Sequence, residues 1–452
     1  MTMHRHWLSL LSLLSSMPLA FLAAPPAQPW SDKRVKHLWN TVPANWECLG
    51  PPPPNTTIDL FIALKANSEN ALIEALYEVS SPGHQKRVVF ITHLAVLVLT
   101  LLRLPGRYGA HLSKEEVAEL VAPHQGTLEL VRSWLEHHGV PSSSISPSHG
   151  GGWLTIKGVP VSRVEDLLGA SYQLYKYTGR NESEAILRTV SYALPEALHA
   201  HVEAVAPTTH FAPMRRSLKP LHKRSSQKAA TMANVTSGEL MRVPSKRDDD
   251  GEVKPSFLRS LYKTEGYVPA AVDVNKLGLL GLNNEFPSEN DLKAFMEDFR
   301  KDAVDAVYSV TQVNGGGYDK KSPGHEANLD IQYATAIAYP TPQIFYSTGG
   351  RLRMTKDRLP DAGDAYLEWL RYLLDLPSIP PTISISYGDV ELEFPPEYVE
   401  NLCVLFAVLG ARGVSILAGS GDYGVGPGKC HDDFGKTWFM PTFPASCMCW
   451  SS

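Results

Sequence analysis

Between Lys276 and Ala418 short apolar runs alternate with longer stretches of helical spacing, and this alternation limits the fold more than any other feature. Lys276 to Leu282, Ala306 to Val310, Gln343 to Ser347, Thr382 to Ser386 and Val414 to Ala418 read as strands. Asp364 to Leu374 and Pro396 to Leu409 read as helices. Strands separated by helices of about 10–15 residues can pair only through crossovers, which predicts a parallel sheet. In such sheets ligand sites lie beyond the carboxyl ends of the strands.

The amino-terminal half has a different rhythm. Ile58 to Leu64, Trp153 to Lys157 and Ser171 to Tyr177 read as strands. Glu69 to Val79, Leu128 to His138 and Val161 to Leu168 have helical spacing, and Ser113-Lys114-Glu115-Glu116 is a capping box that opens a helix through Val121. Helices that could cover one face of an antiparallel sheet predict an α+β, ferredoxin-like module over 58–211.

The two halves meet in a basic joint over 212–254. From Ala212 to Arg247 there are nine Lys/Arg against one Glu, a local +8 in a chain whose net charge is -5. The joint holds Arg215-Arg216, Lys223-Arg224 and Lys246-Arg247, and little that could be buried. It reads as a protease-accessible linker, with processing expected after Arg216, Arg224 or Arg247. The overall charge gives no reason to expect a nucleic-acid partner. At 452 residues, 43% hydrophobic and 20% charged, the chain is globular and long enough for two or more domains.

Residues 1–24 have a short basic start (His4, Arg5), an apolar stretch and a small-residue end, the parts of a secretory signal. Sequons at Asn55, Asn181 and Asn234 agree with glycosylation in an extracellular protein. Val88 to Leu102 is strongly apolar but spans only 15 residues and contains His93, short of the roughly 20 needed to cross a bilayer, so no membrane partner is expected. The five cysteines are too few to build the fold, and their odd number leaves at least one unpaired within the chain.

Two stretches could carry chemistry. If Gly324 to Tyr333 is helical, Glu326 and Asp330 stack on one face at i and i+4. In a dry cleft they would share a proton, one carboxylate serving as general base and the other orienting it. A solvated helix face with the same spacing is the alternative. Ala418 to Gly426 follows a strand and places Asp422 in a glycine-rich turn, either to touch a substrate or simply to make the turn.

These motifs, in this order, resemble fungal secreted tripeptidyl-peptidases of the sedolisin (serine-carboxyl peptidase) family. The resemblance covers nearly everything from residue 55 to 447. Residues 58–211 look like the activation propeptide, with Gly109-Ala110-His111-Leu112-Ser113 characteristic, and Lys254-Pro255 to Tyr262 resembles the start of the mature enzyme. Glu326-Ala327-Asn328-Leu329-Asp330, Ser384-Ile385-Ser386-Tyr387-Gly388 and Ser420-Gly421-Asp422 match further family motifs. The resemblance implies a signal peptide at 1–24, a propeptide domain at 55–211, a processing linker at 212–254 and a subtilisin-like α/β peptidase domain at 255–452. It implies Glu326 as general base, Asp330 as its orienting partner and Asp422 as a protonated oxyanion stabiliser, all suited to acid pH. Peptide or protein substrates follow, with the propeptide as intramolecular inhibitor. Cys430 and Cys447 are expected to pair.

The sequence also departs from the family. The Gly-Thr-Ser-x-x-x-Pro segment that carries the nucleophilic serine is not among the 452 residues, nor is the calcium site of Asp and backbone carbonyls. An atypical insert lies near 85–106. A chain ending as written is expected to be inactive, its peptidase sheet incomplete at the C-terminal end. An endopeptidase of the same family and a non-catalytic, propeptide-type inhibitory protein are the alternatives.

Overall fold

The structure is a computed structural model that describes residues 30–43, 45–68, 70–82, 107–178, 185–211, 253–349, 364–422 and 440–447, and the backbone of 215–216. The first half comprises β1 (Lys33–Leu38), β2 (Trp46–Gly50), β3 (Thr57–Leu64), α1 (Ala71–Ser80), α2 (Lys114–Val121), α3 (Gln125–His137), β4 (Ile145–Pro147), β5 (Trp153–Pro160), α4 (Val161–Leu168), β6 (Gln173–Tyr177), β7 (Ala185–Arg188), β8 (Ser191–Pro195) and β9 (Val202–Ala206). Strands β4-β5-β3-β9 form one antiparallel sheet. The expected capping box is present at α2: Glu116 N donates to Ser113 Oγ at 3.1 Å, and Ser113 N donates to Glu116 Oε2 at 2.8 Å. Gly169 closes α4 in the left-handed conformation, φ 54°, which glycine adopts without a Cβ penalty.

Side chains alternate across β3, so its two faces serve two cores. Leu60 and Ile62 pack with Val131, Trp134 and Leu135 of α3 and Val164, Leu167 and Leu168 of α4. Phe61 and Ala63 point the other way, into a core shared with the second half.

That half continues with β10 (Arg215–Arg216), α5 (Pro255–Leu261), β11 (Leu277–Gly281), α6 (Glu289–Phe299), β12 (Tyr308–Val313), α7 (His325–Ala338), β13 (Gln343–Thr348), α8 (Ala365–Asp375), β14 (Thr382–Ile385), β15 (Tyr387–Val390), α9 (Pro396–Ala411), β16 (Ser415–Ala418) and β17 (Thr442–Phe443). Five strands form the expected parallel sheet, in the order β12-β13-β11-β14-β16. Helices bury both faces, as parallel sheets require. Leu279 and Phe345 pack on Ala327 and Ile331 of α7. Leu280, Tyr346 and Ile383 pack on Leu367, Leu370 and Leu373 of α8 and Leu402 and Phe406 of α9. The same core takes in Phe61, Ala63, Trp153, Ala204 and Ala206, so α8 and α9 lie between the parallel sheet and the antiparallel one.

Several elements differ from the sequence expectation. Strands β1 and β2 lie before residue 55 yet pair with β8 and β6, extending the first module toward the amino terminus. Their mixed polar sequences carry no alternation, because they are largely exposed. The strand expected at Ala306 to Val310 runs at Tyr308–Val313 instead. Helix α6 is an element beyond those expected from the sequence.

The expected Cys430–Cys447 disulfide is replaced by Cys403–Cys447, with a Cα–Cα distance of 5.4 Å, within disulfide reach. The reason is topological. Strand β17 pairs with β15, which runs into α9, so residue 447 returns onto that helix at Cys403. Cys430 lies outside the described residues, and Cys48 is exposed and free. The 1–24 segment, Asn181, Asn234, Arg224, Arg247 and the 85–106 insert also lie outside the described residues. Asn55 is exposed in the turn between β2 and β3. No helix among the described residues is long and apolar enough to cross a membrane.

Candidate active site

Helix α7 starts at the Gly324 N-cap and ends before Pro340. It carries both carboxylates of the expected pair. Glu326 sits in the first turn, where the helix dipole favours a negative charge, and is buried at 1% exposure. Asp330 follows one turn later, partly buried. The solvated-face alternative therefore does not hold for Glu326.

Asp330 is held from the parallel sheet. Ser386, the residue between β14 and β15, donates its hydroxyl to Asp330 Oδ1 at 2.6 Å. Burial pushes the Asp330 carboxyl up to about 7, the nearby Glu285 charge adds to this, and the Ser386 bond works against it.

Glu285 was not singled out in the sequence. It lies 41 residues before Glu326 and accepts the Glu326 backbone N–H on Oε2 at 3.0 Å. Asn283 and Asn284, at φ 59° and 54°, turn the chain through the left-handed region immediately before it. Gly324 makes room: a Cβ there would stand 2.5 Å from the Glu285 Cβ. The only sequence signal was the Asn-Asn pair, which marks a turn without saying where the next side chain goes.

Asn328, between the two carboxylates, ties α7 to α6. Its Oδ1 accepts from Ser288 N at 2.8 Å and its Nδ2 donates to Asp291 Oδ2 at 2.7 Å. Tyr387 is fully buried beside the cluster. Its phenol is pushed well up by burial and by the charges of Asp330, Glu285 and Glu326, so these three carboxylates share one neighbourhood.

Asp422 lies past the carboxyl end of β16. That strand pairs with β14, and Gly419 N donates to Ile385 O at 2.9 Å, one residue before Ser386. Asp422 thus stands at the same end of the sheet as Ser386. It is exposed, and loss of solvation to the neighbouring protein still raises its carboxyl. Chemically, the cluster gathers carboxylates at the carboxyl end of the sheet, a residue type that can act as a general base.

Residues 104–211 match the pro-kumamolisin activation domain. Over 440 residues the chain is 32% identical to tripeptidyl-peptidase SED2 of Arthroderma otae, covering 95% of this chain and 68% of that protein. It is 31% identical over 443 residues to a probable tripeptidyl-peptidase SED3 of Arthroderma benhamiae, covering 96% of this chain and 68% of that one.

This chain belongs to the sedolisin family of tripeptidyl-peptidases.

Among solved structures, Pseudomonas sedolisin, a serine-carboxyl proteinase complexed with two molecules of pseudo-iodotyrostatin, overlays 43% of this chain and 51% of its own at 16% identity and a TM-score of 0.30. Calcium is the metal the family implies. Among the described residues no group of three or more His, Cys, Asp or Glu side chains is placed to hold a metal ion.

Proposed function

We propose that this sedolisin-family chain is the zymogen of a secreted acid peptidase that releases tripeptides from free amino termini. The reading rests chiefly on two carboxylates of α7, the buried Glu326 and the partly buried Asp330 that accepts a hydrogen bond from Ser386, within a chain related to tripeptidyl-peptidases. Residues up to 211 act as a ferredoxin-like propeptide that inhibits in cis. Residues from 255 form a subtilisin-like peptidase domain.

Glu326 serves as general base, and Asp330 orients it and carries the shared proton. A carboxylate base is still partly ionised near pH 4, where a histidine would be fully protonated. Asp422 donates a hydrogen bond to the developing oxyanion while protonated, which its raised carboxyl favours. The segment expected to carry the serine that Glu326 would activate is not among these 452 residues.

The test is product analysis of the secreted gene product, propeptide removed, on a peptide with a free amino terminus at about pH 4. Successive tripeptides support the reading. Internal fragments would make the protein an endopeptidase, and an optimum above pH 7 would overturn the assigned carboxylate roles.

A further inference from the structure

One face of α8 meets the first half of the chain from end to end. Asp364 at its N-cap, Glu368, Arg371 and Asp375 are spaced at i, i+4, i+7 and i+11, which stacks them on one side of a helix. Asp364 Oδ2 lies 3.5 Å from His210 Nε2, the Arg371 guanidinium carbon stands 4.9 Å from the centre of the Phe61 ring, and Lys114 Nζ donates to Asp375 O at 2.8 Å. Between these contacts Glu368 faces Asp59 of β3 and Lys157 of β5. Both lie on the sheet face that carries Phe61 and Trp153, because side chains alternate along a strand. Asp59 is held there, its Oδ1 accepting from Gly158 N at 2.8 Å. Burial pushes the Glu368 carboxyl up to about 7, Arg371 and Lys157 pull it down, and Asp364 and Asp59 push it further up.

We propose that the seam between α8 and the antiparallel sheet closes by taking up a proton, carried by Glu368 against Asp59, so that acid tightens this contact between the two halves of the chain. An ionised Glu368 would be packed toward a second carboxylate, while Lys157 is exposed and Arg371 lies over Phe61. The proton comes from solvent and returns to it when the seam opens, because Glu368 then regains water on the face of α8 and Asp59 leaves with β3. The closed seam holds a proton that the open one releases near the ordinary glutamate value. Its stabilisation is therefore full below about pH 4 and is lost as pH rises through about 7. Acid does not open this seam through Glu368. On the zymogen reading above, this contact keeps the propeptide seated in the acid range and leaves its departure to proteolysis. The seam itself is independent of that reading, which the tripeptide assay tests separately.

The test is amide hydrogen exchange of the full chain, read by mass spectrometry, with each rate divided by its unstructured value at the same pH. Protection of β5 and α8 is expected to fall by about tenfold or more between about pH 5 and about pH 8, since protection follows the free energy of opening. Glu368→Gln stays neutral at every pH and is expected to remove that fall. Asp59→Asn takes away a charge that opposes ionisation, so it is expected to shrink the fall and to start it at lower pH. Wild-type protection that stays level or rises over this window would overturn the proposal, as would a fall that Glu368→Gln leaves intact. If Glu368→Gln fails to fold, Asp59→Asn decides from the other side of the seam. A fall identical to wild type would then show that the two carboxyls do not meet there.

Discussion

Ser386 and Asp330 are joined by a 2.6 Å hydrogen bond that crosses from the carboxyl end of the parallel sheet to α7. The hydroxyl donates and the carboxylate accepts, so the sheet fixes the orientation of a side chain whose position the helix supplies. Ser386→Ala is expected to cost about 1–2 kcal/mol. It is also expected to push the Asp330 carboxyl further up, because that bond opposes the effect of burial. Urea unfolding together with carboxyl titration by NMR checks both. A downward shift of Asp330 would contradict the assignment.

Asp330 also makes stability depend on pH, with a definite sign. Its folded-state carboxyl is raised to about 7, so the folded chain keeps a proton that the unfolded chain releases near its ordinary value. The stability this contributes is full below about pH 4 and is lost as pH rises through about 7. Asp330→Asn is expected to flatten the unfolding free energy across that window. Unchanged slopes in denaturant titrations at several pH values would rule out Asp330 as the group responsible.

Gly324 faces Glu285 with no room for a methyl group, the Glu285 Cβ lying 2.5 Å from where a Cβ would stand. Gly324→Ala is expected to destabilise the chain by about 1–3 kcal/mol, since the crowding falls on the base of the Glu285 side chain rather than its flexible end. The displaced loop would loosen the Glu285 hold on the Glu326 N–H. Thermal unfolding measures the cost, and wild-type stability would mean that the loop gives way freely.

The Cys403–Cys447 bridge closes a separation of 44 residues and pins the β17 turn onto α9. Alkylation without reduction, read by peptide mass, is expected to label Cys48 and leave Cys403 and Cys447 unlabelled. Cys403→Ser is expected to cost about 2–4 kcal/mol. Labelling of Cys403 in the wild-type chain would restore the alternative pairing.

Gly109 N donates to Val79 O at 2.8 Å, so the chain on either side of the 85–106 insert comes back to one place. A chain lacking 85–106 is therefore expected to keep its stability within about 1 kcal/mol, because shortening a closed connection changes its entropy slowly. A large fall in melting temperature would show that the insert supports the fold.

What the sequence alone determined was local. The helical spacing that stacks Glu326 and Asp330, the Ser113–Glu116 capping box and the apolar run of β14 all express preferences within a few residues, so they are legible without neighbours. The same holds for the parallel sheet, because the length of each crossover already excludes hairpins. Tertiary structure decided the partners. Glu285 meets Glu326 across 41 residues and Ser386 meets Asp330 across 56. Cys447 finds Cys403 rather than Cys430 because β17 pairs with β15. Strands β1 and β2, exposed and without alternation, are strands only because β8 and β6 offer them a ladder. Such contacts leave no periodic trace along the chain, since the residue that completes each one is chosen by the packing of distant elements.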